Sequence, residues 1–216
     1  IRKNLQLLAG ALSIEVPDDN FEFPIRTGPE HVVEAAEIVD AAGGSFAIMN
    51  PAGGWVTKLW HAEKFGHLAD RIWEKFGMRS VVVAGPAEAD LARRVEANSH
   101  SGMTLLRQPT LKGFYELAKK TRVYVGGDTG PTHLAVAAGA PVVGIFGPTE
   151  WWRNGSPVAE DICIGRTDIA CRIECHRRTC NNWICMDIGV DAVFDAVVRR
   201  METAESTADF TGHIGL

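Results

Sequence analysis

The sequence predicts an α/β fold, a Rossmann-like parallel sheet with helices on both faces. Short runs rich in β-branched residues, such as SVVVAG at 80–85, are typical of buried parallel strands. Segments with apolar residues at helical spacing alternate with these runs, as at 62–76. This alternation predicts βαβ units, because two parallel strands must be joined by a crossover.

The predicted elements begin with a helical stub at 5–12, where leucines recur before Pro17 breaks the pattern. A short apolar run that stops at Pro51 predicts the first strand. The polar tail from Thr203 is expected to be frayed. Strands are predicted at 45–50, 80–85, 105–106, 122–127 and 141–147, and helices at 62–76, 87–98, 111–120, 132–138 and 190–203.

The domain organisation follows from these elements. Residues 1–30 are interpreted as the remnant of an amino-terminal domain with its connector, 31–203 as the Rossmann-like domain and 204–216 as a tail. The central domain includes a cysteine-rich loop at 163–187. Because the first residue is not Met, we expect the chain to start within a longer protein.

The composition is that of an ordinary globular domain, with 46% hydrophobic and 23% charged residues. The formal net charge of -5 gives no reason to expect a nucleic-acid partner. No apolar run approaches the roughly 18 residues that a membrane span needs. Five cysteines, an odd number without a secretory signal, favour reduced thiols and a cytoplasmic location.

Four loops follow predicted strands, at 50–58, 85–90, 127–133 and 147–155. Each of them contains glycine together with polar groups. In parallel sheets of this type, ligands bind beyond the carboxyl ends of the strands. We therefore expect these loops to form the binding site.

The strongest signal is GDTGPTHLA at 127–135, in which a proline stands where the first helical residue is expected. The backbone N–H groups that follow have no partner within the helix and can bind an anion. Thr129 adds a hydroxyl donor, Gly130 permits close approach, and His133 can donate to the same anion. The alternative is a plain helix cap formed by Asp128 or Thr129, with the histidine packed against the sheet.

The other loops add weaker signals. The loop at 50–60, NPAGGWVTKLW, contributes Lys58, whose ammonium suits a diphosphate, although a lone loop lysine is more often a solvated surface charge. Glu88 can accept hydrogen bonds from two ribose hydroxyls, or it can simply belong to the first turn of a helix. The loop after the last predicted strand brings Gly147 and Thr149 near the first phosphate loop if the two strands are neighbours.

Residues 125–149, VGGDTGPTHLAVAAGAPVVGIFGPT, resemble the signature of glycosyltransferase family 9, the family of the ADP-heptose:lipopolysaccharide heptosyltransferases. In that signature Asp-Thr-Gly-x-x-His-Leu precedes an Ala-rich helix, a proline, a strand and Phe/Tyr-Gly-Pro-Thr/Ser. Residues 51–60 resemble the family's phosphate loop, and 110–118 resemble its Ser/Thr-Leu…Leu-Ala segment. The resemblance covers about residues 45–200.

The resemblance implies the carboxyl-terminal domain of a GT-B fold, which holds the nucleotide sugar. It implies inverting transfer without a bound metal, with ADP-heptose as donor and a lipopolysaccharide core or lipid A acceptor. The family's general base is an Asp in the amino-terminal domain, so no catalytic residue is assigned in this chain. The implied donor contacts are Lys58, Thr129, Gly130 and His133 for the diphosphate, Asp128 for the sugar hydroxyls and Glu88 for the ribose.

Four cysteines fall within fifteen residues, a trait that members of the family often share. Reduced thiols packed in a loop, a zinc or iron–sulfur site, and disulfides are the three alternatives. Their spacing alone does not choose among them. The four are Cys171, Cys175, Cys180 and Cys185.

Basic residues lie among these cysteines, and they either face an anionic acceptor or form a solvated basic loop. An acceptor anchored in lipid would bring peripheral contact with the inner face of the bacterial inner membrane. Two rival functions stay open, a sugar-nucleotide epimerase on the same scaffold and a non-catalytic nucleotide-sugar-binding module. The basic residues are Arg172, His176, Arg177 and Arg178.

Overall fold

The computed structural model describes residues 2–16, 21–172, 175 and 177–212. Its centre is one six-stranded sheet in the order β3-β2-β1-β4-β5-β6, and each neighbouring pair is parallel. This confirms the predicted parallel α/β sheet. The strands are β1 (Phe46–Asn50), β2 (Arg79–Val83), β3 (Thr104–Arg107), β4 (Val123–Gly126), β5 (Val142–Ile145) and β6 (Ile162–Ile164).

Helices connect and flank the strands. None of the helices in the described part of the chain is both long and apolar enough to cross a membrane. Short 3₁₀ turns at Val56–Lys58, Pro86–Glu88, Ala170–Arg172 and Ile184–Met186 lie in the connections. The α-helices are α1 (Arg2–Leu12), α2 (Pro29–Ala42), α3 (Ala62–Phe76), α4 (Ala89–Ala97), α5 (Leu111–Ala118), α6 (Gly130–Ala137), α7 (Trp151–Asn154) and α8 (Val190–Gly212).

The sheet separates two apolar cores because successive strand residues point to opposite faces. In β1, Ala47 and Met49 pack with α3, α4 and α8, whereas Phe46 and Ile48 pack with α2, α5 and α6. In β4, Tyr124 belongs to the second of these cores. The prediction of helices on both faces is therefore confirmed.

Three elements were not predicted: α2, β6 and the four-residue helix α7. Helix α2 begins with Pro29 and ends at Gly43, whose φ of +86° suits glycine, but its buried face consists largely of small residues that give a weak periodic signal. Strand β6 has three half-buried residues, too few to show alternation. The other predicted strands and helices are present, with ends displaced by a few residues.

The expectation of a frayed tail from Thr203 was wrong, because α8 continues to Gly212. Residues 201–211 contain neither glycine nor proline. Their Ala and Glu residues are good helix formers, so nothing stops the helix before Gly212.

The strand order reverses at β1. The chain proceeds from β1 outward to β2 and β3, then returns to the other side of β1 for β4, β5 and β6. In the register Asn50 is the partner of Gly126, so the loops after β1 and β4 start side by side and then diverge. Such a reversal opens a crevice at the carboxyl ends of the strands.

Candidate functional site

A cleft of about 390 Å³ lies at this reversal. Its walls come from the loops that follow β1, β2 and β4, as the loop positions in the sequence predicted. Six of the eight predicted substrate-binding residues line it. The lining consists of Ala52, Gly53, Gly54, Lys58, Glu88, Asp128, Thr129, Gly130, Pro131 and His133.

The loop after β1 is shaped by Asn50, whose side-chain oxygen accepts a hydrogen bond from the Ala52 N–H at 2.9 Å. This bond turns the chain immediately after the strand, as Asn side chains commonly do. Gly53 and Gly54 then line the cleft without side chains in the way. The 3₁₀ turn that follows ends at Lys58 and presents its side chain to the cleft.

Lys58 and Asp128 form an ion pair across the cleft, with Nζ and Oδ2 2.6 Å apart. The two side chains are only 13% and 8% exposed, so Lys58 is not the solvated surface charge that the sequence left as an alternative. The ammonium also lies 4.2 Å from the centre of the Trp55 ring. Because both charged groups are largely buried, water weakens their attraction less than it weakens that of a surface pair.

Asp128 has a second fixed partner, Asn154, whose side-chain N–H donates to the same Oδ2 at 3.2 Å. The sequence analysis missed Asn154 because it lies at the end of the four-residue helix α7, which gives no periodic signal. His133 stands on the other side, with Nε2 4.0 Å from Oδ1. The Asp128 carboxylate is thus oriented from two loops.

The start of α6 differs from a plain helix cap. Thr129 occupies the cap position, but its side chain makes no capping bond and instead bonds to Thr132 at 3.2 Å. Asp128 is bound to Lys58 and Asn154. His133 is 55% exposed rather than packed against the sheet. The first turn of α6 therefore faces the cleft without a side-chain cap, which is the arrangement that suits an anion.

Glu88 fits both of the readings that its sequence position allowed. Its Oε2 accepts a hydrogen bond from the Gly85 N–H at 2.9 Å and so closes the short turn Pro86–Glu88. The same residue lines the cleft. One carboxylate oxygen thus fixes the turn, and a carboxylate retains further acceptor capacity for a ligand.

Gly147 and Thr149 are the two predicted site residues that do not line the cleft. A side chain at position 147 would collide with Met186, so this glycine permits close packing of the chain that follows β5. Thr149 is buried, and its hydroxyl has no hydrogen-bond partner among the described residues.

A second cavity, of about 430 Å³, lies beside the cleft and contains the thiols. Four of the five cysteines line it, and none of these four is in a disulfide. Burial, followed by the nearby Cys175 thiol, raises the pKa of Cys185. We call this space the cysteine cavity. Its lining also includes Thr57, Pro148, Ala170, Arg177, Asn182, Trp183 and Ile184.

In the described part of the chain the thiols are not arranged as the ligands of one metal ion. Within the described ranges, no three His, Cys, Asp or Glu side chains come close enough together to hold one ion. The cavity nevertheless gathers Cys171, Cys175, Cys180 and Cys185, which the sequence only placed in one loop.

Thr57 joins the cysteine cavity to the cleft. Its buried hydroxyl donates to the Arg177 carbonyl at 2.6 Å, and its own carbonyl accepts from the Trp183 indole N–H at 3.1 Å. The next residue, Lys58, faces the cleft. The cysteine-rich loop is thus attached directly to the turn that presents the lysine.

The predicted basic residues are only partly described. Arg177 and Arg178 are exposed. The Arg178 guanidinium lies 5.3 Å from the centre of the Trp55 ring, which the Lys58 ammonium also contacts. His176 and the side chain of Arg172 lie outside the described part of the chain.

The sequence of this chain matches a known protein family over most of its length. The sequence profile of glycosyltransferase family 9 (heptosyltransferase) matches residues 1–184. The chain belongs to glycosyltransferase family 9. A curated relative, lipopolysaccharide heptosyltransferase 1 of Pseudomonas aeruginosa, is 26% identical over 181 residues, which are 83% of this chain and 48% of the relative. The chain thus spans about half the length of that relative.

Solved structures of the family share the fold. A family 9 glycosyltransferase from Veillonella parvula superposes with a TM-score of 0.75 and 17% identity, over 92% of this chain and 58% of the other. The Escherichia coli heptosyltransferase WaaC with ADP gives a TM-score of 0.65 and 19% identity, over 90% of this chain and 54% of the other. At this identity the superposition shows a common architecture, that of a GT-B heptosyltransferase domain.

Proposed function

We propose that this chain is the donor-binding half of an inverting, metal-independent heptosyltransferase that uses ADP-heptose. One observation carries the proposal: the shielded Lys58–Asp128 pair lies at the strand-order reversal, beside the uncapped first turn of α6. Dipoles and a cation at this place suit a diphosphate. The WaaC structure named with ADP is a family member of the same fold, which supports the nucleotide class.

In this proposal, the diphosphate accepts hydrogen bonds from the Lys58 ammonium, the Thr129 hydroxyl and the backbone N–H of Gly130. His133 adds a further donor from the first turn of α6. Lys58 has three N–H groups, so it can bind a phosphate oxygen and keep Asp128. The remaining lone pairs of the Asp128 carboxylate then accept hydrogen bonds from the sugar hydroxyls. Glu88 lies in the same cleft and serves the ribose hydroxyls.

The reaction is a displacement at the anomeric carbon. The acceptor oxygen forms the new bond as the bond to the diphosphate breaks, and the electron pair of that bond goes to the departing phosphate oxygen. The acceptor proton goes to a general base, which we place in the amino-terminal domain as an Asp. Fixed donors at the phosphate stabilise the growing charge more than the ground state, which is what lowers a barrier.

The acceptor is proposed to be an anionic lipopolysaccharide inner core or lipid A. Arg177 and Arg178 are exposed between the cleft and the cysteine cavity, where they can meet its phosphates or carboxylates. We place the enzyme in the cytoplasm, with peripheral contact at the inner membrane where such an acceptor is anchored.

The cysteines enter this proposal as thiols with a structural role. Four free thiols line one cavity, and their arrangement in the described residues does not match a metal centre. Elemental analysis of anaerobically purified protein tests this directly. If the protein contains stoichiometric zinc or iron, and a chelator removes the metal and unfolds the loop, the cysteines form a structural metal site instead.

Calorimetric titration of this chain with ADP-heptose, ADP and UDP tests the proposed function. We expect the two adenine compounds to bind and UDP to bind at least tenfold more weakly. Equal or no binding of all three would remove the donor assignment. Binding by this chain alone, with turnover only in the complete enzyme, separates a transferase from a non-catalytic binding module.

A further inference from the structure

A buried polar network lies directly beneath the cleft and centres on Tyr124. This residue is fully buried in β4, and its ring meets Phe114 edge-on at 6.2 Å between centres. Its hydroxyl bends back under the end of the strand, where a β-carbon at position 126 would lie 2.5 Å from it. Gly126 is therefore needed for the hydroxyl to reach the loops above.

The direction of each hydrogen bond in this network can be assigned by counting protons. The Gly127 carbonyl only accepts, so the Thr132 hydroxyl donates to it, at 2.5 Å. With its single proton committed, Thr132 must accept from its other two partners. These are the hydroxyls of Tyr124, at 3.0 Å, and Thr129, at 3.2 Å.

Tyr124 also reaches the other loop of the cleft. Its hydroxyl lies within reach of the Asn50 side chain, and its own proton is already donated to Thr132. The amide N–H₂ of Asn50 is therefore the group that faces the phenol. Burial raises the pKa of Tyr124 to about 12, so the phenol keeps its proton and remains a donor at any ordinary pH.

The Thr129 hydroxyl has to change its hydrogen-bond partner when a phosphate binds. Without a ligand, its proton points inward, to the hydroxyl of Thr132 or to that of Tyr124, and it must turn away to donate to a phosphate. When it turns, Thr132 still accepts from Tyr124 and its buried oxygen stays satisfied. We infer that Tyr124 is a positioning residue that releases the Thr129 hydroxyl for a nucleoside diphosphate and ties the loops after β1 and β4 together.

The inference rests on the proposed function and is tested by titrating this chain with ADP and with adenosine. Tyr124→Phe keeps the ring in the core and removes only the hydroxyl. We expect ADP affinity to fall about three- to tenfold, the effect of one buried hydrogen bond, and adenosine affinity to stay unchanged. The matched control is Tyr115→Phe, which removes the hydroxyl of the other tyrosine of the chain, on α5. Its ADP affinity should equal that of the wild type.

A double-mutant cycle with Thr129→Val separates positioning from general loosening. If Tyr124 acts through Thr129, the double variant binds ADP no more than about twofold more weakly than Thr129→Val alone. Fully additive losses, or a Tyr124→Phe protein that binds ADP like the wild type, would overturn the inference and leave the proposed function standing. A wild-type chain that binds no ADP would remove both.

Discussion

The cleft and the cysteine cavity are neighbours that differ in how they are built. The cleft is walled by loops that leave β1, β2 and β4, and its charged groups are held by buried partners. The cysteine cavity is lined mainly by described residues of the cysteine-rich loop, which is joined to the cleft through Thr57. The difference shows that strand ends fix one site, whereas side-chain attachments hold the other.

The largest effect is expected at the ion pair of the cleft. Lys58→Ala or Asp128→Ala in the complete enzyme should raise the barrier by roughly 2–4 kcal/mol, about 30- to 1,000-fold in kcat/KM, because the departing diphosphate loses either the ammonium or the carboxylate that holds it in place. Steady-state kinetics measure it. Lys112→Ala, an exposed lysine on α5, is the control. Unchanged turnover in both cleft variants would sink the assignment of the cleft.

The rigid support of the cleft is expected to show in alkaline unfolding. Burial raises the pKa of Tyr124 from 10.0 to about 12. Above pH 10 the unfolded chain loses this proton while the folded chain keeps it, so stability falls as the pH rises to about 12. The wild type should lose roughly 1–3 kcal/mol more unfolding free energy across this window than Tyr124→Phe.

Denaturant unfolding of the two proteins at the two ends of that pH window measures the difference. Groups other than Tyr124 titrate equally in both proteins and cancel. Parallel losses in wild type and variant would contradict a buried, protonated phenol under the cleft.

A smaller effect is expected at the attachment between the two sites. Thr57→Val keeps the side-chain shape and removes the bond to the Arg177 carbonyl, so unfolding free energy should fall by about 1 kcal/mol. The thiols of the cysteine cavity should react about fivefold faster with a thiol reagent, because that part of the chain opens more readily. Thr167→Val, at an exposed threonine, is the control.

ADP affinity is the second measurement on Thr57→Val. We expect a change of less than about twofold, because the bonds that hold Asp128 and Thr129 do not pass through Thr57. A loss as large as that of Lys58→Ala would mean that the two sites form a single unit.

The smallest effect is expected at the exposed arginines. Arg177→Gln with Arg178→Gln should raise acceptor KM about three- to tenfold at low salt and leave ADP affinity unchanged, since exposed charges contribute little each and are screened. Arg199→Gln, an exposed arginine on α8, is the control. An unaltered acceptor KM would assign these arginines to a solvated basic loop.

The sequence and the structure agree best where a strand leads into a loop. Lys58, Glu88 and Asp128 were predicted from their positions after strands, and the structure brings them into one cleft. Gly147 and Thr149 were predicted by the same rule but do not line the cleft, and at Gly147 the chain after β5 packs against Met186 instead. The rule places loops at an edge and does not orient each side chain.

The hydrogen-bond partners of these residues could not be predicted from the sequence. Asn154 comes from a four-residue helix, and its bond to Asp128 joins residues 26 positions apart. Nothing in a strand of Val and Tyr indicates that the Tyr124 hydroxyl turns toward two loops. The cysteines were predicted to cluster in sequence, yet their common cavity depends on contacts such as those of Arg177 and Trp183 with Thr57.

The sequence by itself determined the parallel α/β sheet, the loops that line the cleft and the family, because periodicity and short-range turn chemistry are local properties. The tertiary structure decided the pairing of Lys58 with Asp128, the phenol beneath the cleft and the gathering of the thiols. These depend on strand order and on burial. Both are properties of the packed chain, since the free energy of a buried polar contact is set by which distant groups replace water around it.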